Sequence, residues 1–185
     1  MPSPELEQRL ARIGWRAQAL PSDADEVGTV ARVVAQHRAG YQLHDGVDVY
    51  NAQPAARFLK RELDPTERPA VGDFVLVAAG KPPTIERILP RRTELKRGAA
   101  GESHQRQLIA TNIDTVLVLS GLDGDLNPAR LERYLLLVQG SGAAPVLVLT
   151  KADRSDAADA TVAELAQRIV GVEIHVEAED LVLGL

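Results

Sequence analysis

The chain contains no cysteine. That excludes disulfides and any cysteine-ligated zinc site within it, and it suits a reducing compartment. Aromatic residues make up only 3%, too few for a platform on which several bases stack. No apolar run approaches the roughly 18 residues of a membrane-spanning helix. The opening segment, MPSPELEQRLARIGW, lacks the apolar centre of a signal peptide. Together these absences predict a cytoplasmic protein with no membrane partner. Positive charge is not in excess either. Twenty-one Lys and Arg stand against 26 Asp and Glu, for a net charge of -5. The global field therefore does not steer the chain to nucleic acid, and any RNA contact needs a local basic patch.

What remains is an ordinary globular composition, 45% hydrophobic and 25% charged over 185 residues. That is room for one large domain or two small ones. The texture changes along the chain and predicts two. Residues 4–16 carry Leu6, Leu10 and Ile13 at helical spacing, inside an N-terminal arm of residues 1–26 that ends in an acidic stretch from Pro21 to Glu26. Residues 27–90 are strand-like. Val27–Val34 is rich in β-branched residues, and Tyr41–Leu43 and Val47–Tyr50 flank Asp45-Gly46, a hairpin signal. In Gly72–Ala78, Phe74, Leu76 and Ala78 alternate with Val75 and Val77, and Thr84–Leu89 closes the series. Five short strands predict a small barrel of the OB type, with an SH3-like barrel as the alternative. Residues 91–107, rich in Arg, Lys and Gly, read as a basic linker.

From Leu108 onward the pattern is α/β. Asn112–Gly121 contains a continuous apolar run, expected of a strand buried on both faces. Asn127-Pro128 is an N-cap followed by proline at the first helical position. Leu131, Tyr134, Leu135 and Val138 then repeat on one helix face, and Gly140-Ser141-Gly142 ends it. Pro145–Leu149 is a second buried strand. Val162, Leu165, Ala166 and Ile169 mark a second helix, and Val172–Val176 a third strand. Strand–helix–strand–helix–strand predicts a parallel sheet, with chemistry beyond the strand ends at Gly121, Thr150 and Val176. The fold class is thus a two-domain α+β chain: a five-stranded OB-type barrel, then part of an α/β parallel-sheet domain.

The second strand runs into Thr150-Lys151-Ala152-Asp153. A carboxylate presents two adjacent acceptors, and guanine presents two adjacent donors, its ring N–H and its exocyclic amine. Asp153 can therefore select guanine through a bidentate, charge-assisted contact. Lys151 can lay its methylene stem along the base, and Thr150 can orient the loop and approach the base carbonyl. At the next strand end stand Glu177 and Ala178, whose backbone N–H can also meet the base carbonyl. The alternative for the tetrapeptide is a helix N-cap, at Asp153, Ser155 or Asp156, beside a solvated lysine.

Residues 107–153, QLIATNIDTVLVLSGLDGDLNPARLERYLLLVQGSGAAPVLVLTKAD, resemble the ribosome small-subunit-dependent GTPase A (RsgA) family. VGDFV at 71–75, IERILPRRTELKRGAAG at 85–101 and Ile13-Gly14-Trp15 agree with it. The resemblance implies an OB-fold and then a circularly permuted GTPase domain, base motif before phosphate loop, of which residues 108–185 are the first part, truncated before the phosphate loop. It also implies a Cys/His zinc domain, GTP and GDP as ligands, Mg²⁺ and Zn²⁺ as cofactors, and hydrolysis stimulated by the small ribosomal subunit. The partners implied are that subunit and its rRNA, for a protein monomeric when complete. Two positions depart from the family: Thr150 replaces the usual Asn of the base motif, and Glu177 replaces Ser.

No G-x-x-x-x-G-K-[ST] is present. Gly80-Lys81 is followed by Pro82 and reads as a turn, and Asp25-Glu26-Val27-Gly28 matches D-x-x-G by chance, ahead of the barrel. No Mg²⁺ or Zn²⁺ ligand set is recognisable in this chain. It is therefore expected to lack catalytic residues and not to hydrolyse GTP by itself. Lys60, Arg61, Arg87, Arg91, Arg92, Lys96 and Arg97, with Arg68 and Arg106, are candidates for rRNA phosphates. Interspersed Glu86, Glu94 and Glu102 allow a solvated face instead, and His104 reads as a surface histidine. Two other functions stay open, a nucleic-acid-binding OB module with an inactive α/β scaffold, or a scaffold without ligand.

Overall fold

The computed structural model describes residues 4–16, 28–98, 106–124 and 126–178. The acidic stretch 21–26, the D-x-x-G glutamate and aspartate, Glu102 and His104 lie outside the described residues. The chain divides into two compact units, Met1–Asn112 and Ile113–Leu185. The division falls a few residues later than the sequence boundary at 107/108.

In the first unit, helix α1 (Pro4–Arg12) precedes strands β1 (Thr29–His37), β2 (Gly40–His44), β3 (Val49–Pro54), β4 (Phe74–Ala78) and β5 (Thr84–Ile88). These five strands form a closed barrel in the order β1-β2-β3-β5-β4. β1 pairs antiparallel with both β2 and β4, and a short parallel pairing of Gln53 with Thr84 and Pro54 with Ile85 joins β3 to β5. This is the OB arrangement, and it decides against the SH3-like alternative.

The two faces of β4 feed two cores, as its alternation predicts. Val75 and Val77 join Ala31, Val33, Tyr41, Leu43, Ala52 and Ile85 inside the barrel. Phe74 and Leu76 join Val30 and Leu89 on the other side, where Leu10 and Ile13 cover them. Trp15 packs edge-on against Phe74, with ring centroids 4.8 Å apart. The Asp45-Gly46 turn is longer than the two-residue type. His44 pairs with Val49, and the Asp45 carboxylate accepts the N–H groups of Val47 and Asp48 at 2.9 Å each.

The stretch read as a basic linker contains secondary structure. β6 (Glu94–Gly98) pairs antiparallel with β7 (Arg106–Thr111). A buried polar network ties this hairpin to the barrel. Asp73 is fully buried, and Arg91 donates Nε to one carboxylate oxygen and Nη2 to the other, both at 2.7 Å. Thr111 Oγ1 and the Ala70 N–H complete its partners, at 2.7 and 2.8 Å. Asn112 donates Nδ2 to the Gly72 carbonyl and accepts the Arg92 N–H through Oδ1. Gly72 has φ +95°, and a Cβ there would lie 1.9 Å from the Thr111 carbonyl oxygen, so only glycine allows the hairpin this close.

The second unit contains β8 (Thr115–Gly121), α2 (Pro128–Gln139), β9 (Ala144–Thr150), α3 (Ala158–Arg168) and β10 (Glu173–Val176). The strands form a parallel sheet in the order β10-β9-β8. α2 begins as predicted, with Asn127 Oδ1 accepting the Arg130 N–H at 3.0 Å and proline in the first turn. Leu131, Leu135 and Val138 are buried, whereas Tyr134 is about half exposed. On α3, Leu165 is buried, Ile169 just beyond the helix is buried too, and Ala166 is exposed.

β9 lies between its two neighbours, and Leu147, Val148 and Leu149 are buried. β8 corrects the sequence reading. Val118 is buried, but Leu117 and Leu119 are 49% and 44% exposed. Among the described residues β8 is an edge strand, and its apolar run is covered on one face.

Candidate functional site

Parallel pairing brings the carboxyl ends of all three strands of the second unit to one side. Gly121 sits opposite Thr150, and Val176 opposite Leu149. Backbone bonds lace these ends together. The Leu122 N–H donates to the Thr150 carbonyl at 2.8 Å, and the Glu177 N–H to the Leu149 carbonyl at 2.8 Å. Past the strand end, the Ala152 N–H donates to the Glu177 carbonyl at 3.2 Å and the Asp153 N–H to the Ala178 carbonyl at 3.3 Å. Thr150, Lys151, Asp153, Glu177 and Ala178 therefore stand in two directly bonded segments.

Local backbone geometry explains how the loop leaves β9. Thr150 is buried. Lys151 adopts the left-handed conformation, φ +59° and ψ +36°, and opens a 3-10 turn over Ala152–Arg154. A non-glycine residue there costs about 1–2 kcal/mol, which the four loop hydrogen bonds offset. The Asp153 carboxyl lies on an exposed residue, as do Glu177 and Ala178. α3 begins with Ala157 as its N-cap and has no side-chain cap bond. The helix-capping alternative for Asp153, Ser155 and Asp156 therefore has no side-chain bond to α3 to rest on, and Ser155 meets the helix through its carbonyl alone, which accepts the Ala158 N–H at 3.3 Å.

Sequence reasoning missed one member of this cluster. Lys151 Nζ lies 3.1 Å from Asp123 Oδ2, with the two side chains 28% and 30% exposed. Gly121 makes room for the pair. A Cβ there would come within 2.8 Å of Asp123 Oδ1 and 3.4 Å of Lys151 Cδ. The available signal was that Asp123 follows one of the three strand ends by two residues.

The basic candidates of the first unit are dispersed, and several are engaged within it. Arg91 is 11% exposed, holds Asp73 and Glu94, and donates to the carbonyls of Thr66 and Arg68. That is a structural role, unlike the RNA contact expected of it. Lys96 pairs with Glu94, Arg97 donates to Gln107 Oε1, and Arg68 donates to the Lys60 carbonyl at 3.1 Å. Lys60 and Arg61 are exposed after the 3-10 turn Ala56–Leu59, Arg87 lies on β5, and Arg92 just before β6. Arg106 opens β7.

Among the described residues, no three His, Asp or Glu side chains gather as a metal site. Among the described residues, no helix is long and apolar enough to cross a membrane.

In chain order, a closed OB barrel comes first and a parallel α/β sheet second. Residues 88–181 match the RsgA GTPase family, and the chain belongs to that family. It is 45% identical over 167 residues to the small ribosomal subunit biogenesis GTPase RsgA of Xanthomonas campestris pv. campestris (strain B100), covering 85% of this chain and 45% of that protein. To the protein of the same name from Xanthomonas axonopodis pv. citri (strain 306) it is 49% identical over the same length. The chain thus spans about half the length of the curated relatives it matches. Two solved structures share the fold, each covering 80% of this chain and 51% of its own. They are the circularly permuted GTPase YloQ (TM-score 0.58, 21% identity) and YjeQ from Thermotoga maritima (TM-score 0.60, 18% identity).

Proposed function

We propose that this chain is the guanine-reading part of a GTPase acting in small-subunit biogenesis in the cytoplasm. The observation that carries the proposal is the bonding of the 150–153 loop to residues 177–178. It places an exposed carboxylate beside a buried threonine and a backbone segment at one sheet end. In this reading Asp153 accepts both guanine donors, and the Lys151 stem lies along the base. Thr150 supports the loop, and the Ala178 N–H meets the base carbonyl beside the Glu177 backbone. GTP and GDP are the ligands. The chain has no G-x-x-x-x-G-K-[ST], so guanine reading is assigned to it without phosphoryl transfer. The small ribosomal subunit and its rRNA are the proposed partners. Exposed Lys60 and Arg61 are better suited to rRNA than Arg91, whose guanidinium is already enclosed.

GDP and ADP titrations followed by NMR test this. The unaltered chain is expected to prefer GDP, and Asp153→Ala to lose the preference. Asp153→Asn offers one donor and one acceptor, which match the ring N–H and neighbouring carbonyl of xanthine, so it is expected to shift preference to xanthosine diphosphate. Retention of guanine preference in Asp153→Ala would reject the assignment. RNA binding by the chain with no nucleotide preference would favour the nucleic-acid-binding module instead.

A further inference from the structure

We infer that Asp123 is a positioning residue for the base site: it anchors the ammonium of Lys151 so that the lysine stem is held in one place for the base. The inference rests on the guanine-reading assignment and extends it to a residue that the base motif does not contain.

Lysine is a poor stacking surface when unrestrained. Its four-carbon stem has many rotamers, and ordering it on binding costs up to about 2 kcal/mol. In this protein both ends of the side chain are fixed. At the root, the left-handed backbone of Lys151 is held by the bonds of its neighbour Ala152 to Glu177 and of Arg154 to the Lys151 carbonyl. At the tip, Nζ bonds Asp123 Oδ2 at 3.1 Å. Between them the stem passes over Gly121, where a Cβ would lie 2.8 Å from Asp123 Oδ1 and in ordinary contact, 3.4 Å, with Lys151 Cδ. Three features separated in sequence thus agree on one lysine conformation. Asp123 is itself placed by the strand end, because the Leu122 N–H is bonded to the Thr150 carbonyl. The pair remains partly exposed, so a base can reach the stem while the ion pair persists. Preorganisation of this kind acts on affinity by removing an ordering cost rather than by adding a contact.

The test compares GDP and ADP binding to the unaltered chain, Asp123→Asn, Asp123→Glu and Asp153→Ala. Asp123→Asn is expected to weaken GDP about two- to fivefold, the scale of a partly exposed ion pair. Guanine preference should be retained. The difference should shrink in about 1 M salt, where the pair is screened, and Asp123→Glu should recover much of it. Without ligand, the Lys151 Cε resonance should move to the position of a freely rotating lysine in Asp123→Asn, with an unchanged melting temperature. Unaltered GDP affinity in Asp123→Asn, or a salt-independent loss that Asp123→Glu does not rescue, overturns the inference while leaving the base assignment intact. Guanine preference surviving in Asp153→Ala, or no saturable GDP binding by the unaltered chain, overturns the base assignment and the inference with it.

Discussion

The two units handle sheet edges in opposite ways. The barrel of the first unit closes on itself, so each of its five strands has two neighbours. Leu10 and Ile13 of the N-terminal segment cover its second core, and the Asp73–Arg91 pair ties the β6–β7 hairpin to it. Among the described residues, the second unit has three strands with two edges, and Leu117 and Leu119 face solvent. Closure satisfies backbone groups and removes places where another chain can pair. An open parallel sheet instead leaves its strand ends accessible, and that is where the 150–153 loop proposed to read guanine lies.

The largest way to break this contrast is inside the first unit. Asp73→Ala leaves the enclosed Arg91 guanidinium without its bidentate partner. A loss of about 3–5 kcal/mol is expected, the usual consequence of stranding a buried charge. Trp15 is the only tryptophan and packs edge-on against Phe74, so its fluorescence in a denaturant titration reports this unit. The second unit, followed by NMR, should melt unchanged.

A paired truncation sharpens the description of the second unit. Leu147→Ala on β9, whose side chain is fully buried, is expected to cost about 2–5 kcal/mol. Leu119→Ala on β8 is expected to cost below about 0.5 kcal/mol. Amide hydrogen exchange of β9 would measure both. Equal losses would show that the Leu117–Leu119 face is covered in solution.

The smallest effect is in pH. Lys96 bonds the Glu94 carboxylate and Arg91 adds to it, which outweighs burial and holds its pKa below the ordinary 4.5. A depressed pKa means that the folded form binds fewer protons, so this contribution is complete above the ordinary value and fades as pH falls through the folded one. Glu94→Gln should flatten that part of the acid limb of the Trp15 unfolding curve.

Much of this arrangement was legible in the sequence, where the pattern and its physical cause coincide. Alternation along Phe74–Ala78 named both cores, and Asn127-Pro128 marked the start of α2. The Thr-Lys-Ala-Asp stretch was placed at a strand end because an apolar strand precedes it. The β6–β7 hairpin was not legible. Glu94, Lys96 and Arg97 surround Leu95 in β6, and Leu95 alone is buried among its described side chains, so alternation gives no signal there. The half-exposed face of β8 was hidden for the converse reason. A continuous apolar run has the same appearance whether one face is covered or two. Pairing of charges across the chain was also invisible: nothing in a local window says that Arg91 belongs to Asp73, or Lys151 to Asp123.

The closure of the barrel has a consequence for the order of events during synthesis. Thr29 on β1 has its antiparallel partner at Val77 on β4, and Gln53 waits for Thr84. The hairpins of β1 with β2 and β2 with β3 can form as soon as they are made, but the barrel cannot shut until β5 exists. Non-local closure of this kind is slow compared with local pairing. A nascent chain therefore carries the inward faces of β1, β2 and β3 uncovered until Ile88 on the barrel's last strand has left the machine that makes it.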